Sequence, residues 1–299
     1  MKEIIDYYQH IPLNIEPIAF TIGSFSVGWY SLMYIAAIGA VYRILSYRIK
    51  KDISPENRIH LQAKNIGNNK FSKKEIKRLM GDFLLISFTG ALLGGRLGYV
   101  LLYNPFYYLE HPLEIISPYD FATGEFIGIY GMSYHGGLVG AVIAAYFFAR
   151  KHKLNFRAWA DFIVPAVPAG YFFGRIGNFL NLELYGRATD SWIGMYFPVA
   201  ASFEYSLRFP SQLIEAFLEG IILFIILWSI RNNKKYEGHL LSFYIVGYGV
   251  ARFLGEFFRE PDEHIGFIFS FITLGQIFSI LMILAGIGLC YFQKKRKIV

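Results

Sequence analysis

Ile272 to Phe292 reads ITLGQIFSILMILAGIGLCYF, 21 residues without one charged side chain. A hydrocarbon core about 30 Å thick is crossed by about 20 helical residues. Because nothing in lipid can satisfy a bare N–H or C=O, such a stretch is read as a helix. Outward from it, weaker apolar runs carrying at most two charges recur near 25–47, 82–103, 130–149, 158–180, 211–230 and 239–257. Composition agrees: of 299 residues, 55% are apolar and only 17% charged, and the mean hydropathy is +0.38, well above that of a soluble domain. The predicted fold class is an all-α polytopic membrane protein of seven transmembrane helices, with residues 1–299 as one integral-membrane domain.

A net charge of +7 raises the question of an anionic partner such as nucleic acid. The placement of the basic residues answers it. Arg48 to Arg78 holds ten Lys and Arg, Arg150 to Arg157 four, Arg231 to Lys235 three and Lys294 to Lys297 four. The alternate connections hold only Lys2, Arg187, Arg208 and Arg259. Cytoplasmic loops are the basic ones, so the N-terminus is expected outside and the C-terminus in the cytoplasm. Residues 48–80 become a basic cytoplasmic connection, in which Ser72 to Met80 forms a short interfacial helix leading into the second span. Residues 104–129 and 181–210 become small extracytoplasmic head insertions, with short strands expected within Trp192 to Tyr205. Met1 to Pro17, carrying Glu3, Asp6 and Glu16, does not read as a cleavable leader.

Cys290 is the only cysteine, which excludes an internal disulfide, a Cys-based metal site and a CxxC redox pair. Any thiol chemistry therefore needs a thiol brought by a substrate. Three GxxxG patterns, Gly94 to Gly98, Gly136 to Gly140 and Gly170 to Gly174, are read as close helix packing. No internal repeat is evident, which argues against a secondary transporter. The other rival reading is a non-catalytic membrane scaffold.

Ionisable groups inside spans cost about 2.5–3.5 kcal/mol each on insertion scales, so each needs a partner, water or an escape route to the interface. Arg96, Arg175 and Arg252 fall in the outer halves of their predicted spans, and Glu215, Glu219 and Glu256 lie in the fifth and sixth. Helical spacing aligns Arg175 with Asn178, Arg252 with Glu256 and Arg259, and Gln212 with Glu215 and Glu219. The two stripes can satisfy each other as packing. Arg175 stands apart, with no acid preceding it on its own helix face. His135, at the outer start of a span, is followed by Gly136 and Gly137, which let a lipid or peptide approach the backbone. Its imidazole suits either a general base or a binding group.

At these residues the sequence resembles the bacterial prolipoprotein diacylglyceryl transferase family. The segments are WYSLMY (Trp29 to Tyr34), GGRLGYVLLYN (Gly94 to Asn104), GMSYHGGLVG (Gly131 to Gly140), GRIGNFLNLELYGR (Gly174 to Arg187), PSQLIE (Pro210 to Glu215) and GYGVARFLGEFFREPD (Gly247 to Asp262). The resemblance implies transfer of the sn-1,2-diacylglyceryl group of phosphatidylglycerol to the lipobox cysteine of a prolipoprotein, as the first step of lipoprotein maturation. A thioether forms and glycerol phosphate leaves, in a bacterial plasma membrane, with no metal or cofactor. It implies essential roles for Tyr30, His135, Arg175, Asn178, Glu183, Gly186 and Arg252, with Arg96, Arg187, Glu256 and Arg259 supporting. Tyr30, His135, Arg175 and Arg252 are the expected catalytic set, and the others, with Gly136 and Gly137, the substrate-binding set. The chain departs from the family pattern at Leu182, where Gly is usual, and at Tyr185, Phe209 and Ile214.

Overall fold

A computed structural model describes residues 2–23, 25–52, 61, 71–117, 119, 124, 131–198, 205–233, 237–261, 267–268 and 272–295. Most of the basic connection, 53–60 and 62–70, lies outside the described residues, as do 199–204 and 296–299. Helices dominate, and the three sheets described are separate two-stranded pairs.

Each of the seven apolar stretches is helical over most of its described length. Four helices are long and apolar enough to cross a membrane: α2 (Trp29–Lys51), α3 (Lys73–Leu102), α8 (Ser211–Ile230) and α10 (Leu274–Lys295). Between α3 and α10 come α4 (Pro105–Glu110), α5 (Tyr134–Lys151), α6 (Phe156–Ile163), α7 (Val167–Leu180) and α9 (His239–Gly255). At the N-terminus lie α1 (Lys2–Gln9) and the hairpin of β1 (Ile18–Ile22) with β2 (Phe25–Gly28), neither anticipated from sequence. The helix of the first apolar stretch accordingly begins at Trp29, after the β2 strand at Phe25–Gly28.

Local chemistry explains where these elements start and break. Ser72 caps α3 through a capping box: its hydroxyl accepts from the Glu75 amide at 3.2 Å, and Glu75 returns a carboxylate to the Ser72 amide at 2.7 Å. That cap sets one continuous 30-residue helix, so no break separates an interfacial helix at Ser72 to Met80 from the span. The fourth stretch is interrupted by a 3-10 turn at Val164–Ala166. Pro165 and Pro168 remove two backbone donors there, which an unbroken α-helix does not tolerate. In α8, Ala216–Ile222 winds as a π-helix, a rare form that collects at functional sites.

The chain folds as two compact units, residues 49–159 and residues 1–48 with 160–299. In the first, α3 and α5 cross with backbones almost touching. A Cβ on Gly98 would lie 2.8 Å from Gly136 Cα, and one on Gly94 would lie 2.7 Å from Gly140 Cα. Two of the three GxxxG patterns therefore face each other. The third differs: Gly170 lies against the Val41 side chain and Gly174 has open space beside it.

In the second unit, Asp161 closes the start of α9 from another helix, accepting from the Gly238 amide at 2.8 Å and the Leu241 amide at 2.9 Å. Buried Arg48 donates to the carbonyls of Asp161 and Phe162. The 181–210 insertion carries an antiparallel pair, β3 (Met195–Pro198) with β4 (Tyr205–Arg208), displaced slightly along the chain from the strands expected within 192–205. Phe179, Met195 and Phe197 form its core, and the Tyr8 hydroxyl donates to the Ile193 carbonyl at 3.0 Å. Partial burial raises the Tyr8 pKa above its usual value. The pair β5 (Phe267–Ile268) with β6 (Ile272–Thr273) runs into α10.

Candidate functional site

The second unit gathers its charges where α7, α8 and α9 meet. Glu215, 1% exposed, is the hub: one carboxylate oxygen lies 2.8 Å from Arg175 Nε and the other 3.0 Å from Arg252 Nη1. Arg259 approaches the same carboxylate at 4.0 Å. Arg252 also pairs with Glu256 at 2.8 Å, one turn along α9, while Glu219 is 3.8 Å away. Three guanidiniums thus pair with the carboxylates of Glu215 and Glu256, with Glu219 buried beside them. Buried ionic groups persist only when paired in this way.

From Arg175 a second line of contacts runs toward the end of α7. Its Nη1 donates to Asn178 Oδ1 at 3.2 Å and its Nε to the Tyr171 hydroxyl at 2.7 Å, with the guanidinium 4.9 Å from the Tyr171 ring centre. Asn178 Nδ2 donates to Glu183 at 2.7 Å and reaches the Tyr30 hydroxyl at 3.5 Å. The Tyr30 and Tyr34 hydroxyls are 3.2 Å apart. Glu183 also accepts from Asn181 at 3.0 Å, and its backbone carbonyl accepts from Gln212 at 2.6 Å. Tyr30, Arg175, Asn178 and Glu183 therefore form one connected hydrogen-bonded group, continuous with Arg252 and Glu256 through Glu215.

Glu183 sits between two leucines in the left-handed backbone region, Leu182 (φ 55°) and Leu184 (φ 56°). That conformation suits glycine, which accounts for the Gly usual in the family at position 182. Here Leu182 packs instead against the Phe179, Met195 and Phe197 core. Beyond it, three backbone segments join at the ends of their helices. The Gly186 amide donates to the Phe209 carbonyl at 2.8 Å and the Arg187 amide to the Phe258 carbonyl at 3.0 Å. A Cβ on Gly186 would collide with that same Phe258 oxygen, so glycine is required by close approach. The Arg187 side chain donates to the carbonyls of Arg259 at 2.7 Å and Glu256 at 3.1 Å, closing the end of α9.

The remaining candidates lie in the other unit. His135 is an exposed residue in the first turn of α5, which Ser133 caps by accepting from the Gly136 amide at 3.3 Å. Gly136 and Gly137 turn their open sides to α3, where Gly94, Gly98 and the Ala91 carbonyl lie. Arg96 donates to the carbonyls of Ile115 at 2.7 Å, Glu114 at 2.6 Å and Gly131 at 3.3 Å, and stands 5.0 Å over the Tyr108 ring. Sequence reasoning missed Tyr171, although its four-residue spacing from Arg175 was visible, and it left Glu215 as a packing group. Among the described residues, no three His, Cys, Asp or Glu side chains converge as a metal-binding group.

Fold and site together define a helical membrane protein with a buried arginine–glutamate cluster between its helices. Comparison with known proteins makes this specific: the prolipoprotein diacylglyceryl transferase family model matches residues 17–292, and the chain belongs to that family. Among curated relatives, the phosphatidylglycerol--prolipoprotein diacylglyceryl transferase of Chlorobaculum tepidum is 44% identical over 99% of this chain and 96% of its own length. Proteins of the same name from Campylobacter lari and Helicobacter pylori strain Shi470 are 42% identical over 98% of the chain and 99% of the relative, and 41% identical over 94% and 93%.

Proposed function

We propose that this protein transfers the diacylglyceryl group of phosphatidylglycerol to the lipobox cysteine thiol of a prolipoprotein. The observation that carries the reading is the family match over residues 17–292. In the reaction, sulfur bonds to the diacylglyceryl carbon as that carbon's bond to the phosphate oxygen breaks. Glycerol phosphate leaves, and the thiol proton passes to a base or to water. No cofactor is needed, because the lipid supplies the group and the peptide supplies the nucleophile.

The buried arginines support this chemistry. Charge grows on the departing phosphate, and a guanidinium is permanently charged and bidentate toward phosphate. Arg175 and Arg252 bind the phosphate in this reading, while Tyr30, Asn178 and Glu183 orient the headgroup. His135 is a candidate general base for the thiol, since thiolate is the reactive form. The functional arrangement is seven spans in a bacterial plasma membrane, with the N-terminus and the site outside and the C-terminus cytoplasmic, as the basic connections support.

The test combines purified protein, phosphatidylglycerol labelled in its diacylglycerol part, and a lipobox peptide with Cys or Ser at the acceptor position. Label is expected on the Cys peptide alone, and Arg175→Ala is expected to lower transfer at least about a hundredfold while remaining folded, in the range set by losing a preorganised charge contact. Absence of label on the Cys peptide, under conditions in which the Chlorobaculum tepidum relative is active, overturns the reading.

A further inference from the structure

Glu215 pairs with both arginines assigned to the phosphate. Its two oxygens lie 2.8 Å from Arg175 Nε and 3.0 Å from Arg252 Nη1, so its charge sits against both guanidiniums that a phosphate would also seek. It is too deeply buried to be replaced by water, at 1% exposed. Its helix is anchored at both sides of this position. One turn earlier, Ser211 donates to the Leu184 carbonyl at 2.9 Å and Gln212 to the Glu183 carbonyl at 2.6 Å, tying α8 to the loop that carries Glu183. Immediately after Glu215 the π-helical winding begins, and Gly220 within it lies against Phe172 of α7. The helix that carries Glu215 is thus tied to the Glu183 loop before this position and packed against α7 after it.

From this geometry we infer that Glu215 is a positioning residue that spaces Arg175 and Arg252 and weakens their hold on a phosphate monoester, so that the more highly charged product leaves. The inference rests on the transferase reading given above. A carboxylate between two guanidiniums prevents them from closing on a dianion with their full charge, because unit charges a few ångströms apart in a low-dielectric interior interact far more strongly than in water. The substrate phosphodiester carries a single negative charge and feels less of that opposition than a monoester carrying up to two. Discrimination between substrate and product then comes from the opposing charge as well as from the attractive one.

The test compares the full-length protein with Glu215→Gln and Glu215→Asp. Glutamine keeps the shape and one acceptor but removes the charge; aspartate keeps the charge on a shorter arm. Binding of glycerol phosphate is measured by calorimetry, and kcat and KM for phosphatidylglycerol are measured in the labelled-lipid assay. Glu215→Gln is expected to bind glycerol phosphate at least tenfold more tightly, with kcat at least tenfold lower and KM not raised; Glu215→Asp is expected to recover part of both. Unchanged glycerol phosphate affinity in a folded Glu215→Gln protein overturns the inference, whatever its turnover. Undiminished kcat overturns it as well. If the wild-type protein binds glycerol phosphate and responds to the substitution yet transfers no label, it is the transferase reading that fails.

Discussion

At the scale of single residues, Gly186 illustrates how close approach constrains the site. A side chain there meets the Phe258 carbonyl, the acceptor of the Arg187 amide. Gly186→Ala is expected to cost about 1–3 kcal/mol by overpacking, read as a lower melting temperature in detergent. Transfer is expected to fall more than tenfold, because the displaced segment continues into Arg259 and Glu256. An unchanged melting temperature and turnover would contradict this account. Much of the site was readable at this scale. Arg175, Asn178, Arg252 and Glu256 stand out in sequence because polar groups in apolar spans are costly and align at helical spacing. Tyr30, Glu183 and Gly186 were visible only through the family resemblance, since a tyrosine at a span end and an acid in a loop carry no cost of their own. Tyr171 was passed over because an aromatic on a helix reads as packing until its hydroxyl is seen 2.7 Å from Arg175. Arg96 and Arg187 are supporting substrate-binding candidates by the resemblance, and in the structure both donate to backbone carbonyls.

At the scale of elements, glycine patterns that look alike in sequence separate into two kinds. Gly140 faces the Gly90 carbonyl and Gly94 across the α3–α5 crossing, whereas Gly174 has nothing within 4 Å. Gly140→Leu is expected to force the helices apart and abolish the folded state in thermal unfolding. Gly174→Ala is expected to hold or raise the melting temperature, because glycine costs about 1 kcal/mol relative to alanine inside a helix. A neutral Gly140→Leu would show that the crossing is not held by backbone proximity. Helix positions were legible because apolar runs and span lengths are local properties. The π-helical turn in α8, the β1–β2 hairpin and the junction of 186–187 with 209 and 258 were not. Each depends on partners distant in the chain, or on a winding whose residues, Ala216 to Ile222, differ in no obvious way from an α-helix.

At the scale of the whole molecule, the arrangement of basic connections makes a prediction about sidedness. In a Cys290→Ser background, a cysteine at Asn233 is expected to react with a membrane-impermeant thiol reagent only in inverted vesicles, and one at Asp190 only in right-side-out vesicles. The opposite pattern would reverse the orientation drawn from the positive residues. The site is also assembled from widely separated parts: Tyr30 and Asn178 are 148 positions apart, and Arg187 reaches Arg259 72 positions on. At about 5–20 residues per second, the ribosome takes roughly ten to fifty seconds to pass from Tyr30 to Arg259. Arg175 is made roughly two to eight seconds before Glu215 by the same reckoning. During that interval its eventual counter-ion does not exist, but Tyr171 and Asn178, on the same helix, already do. The two neutral side chains that flank the guanidinium in the finished protein are thus also its escorts into the membrane.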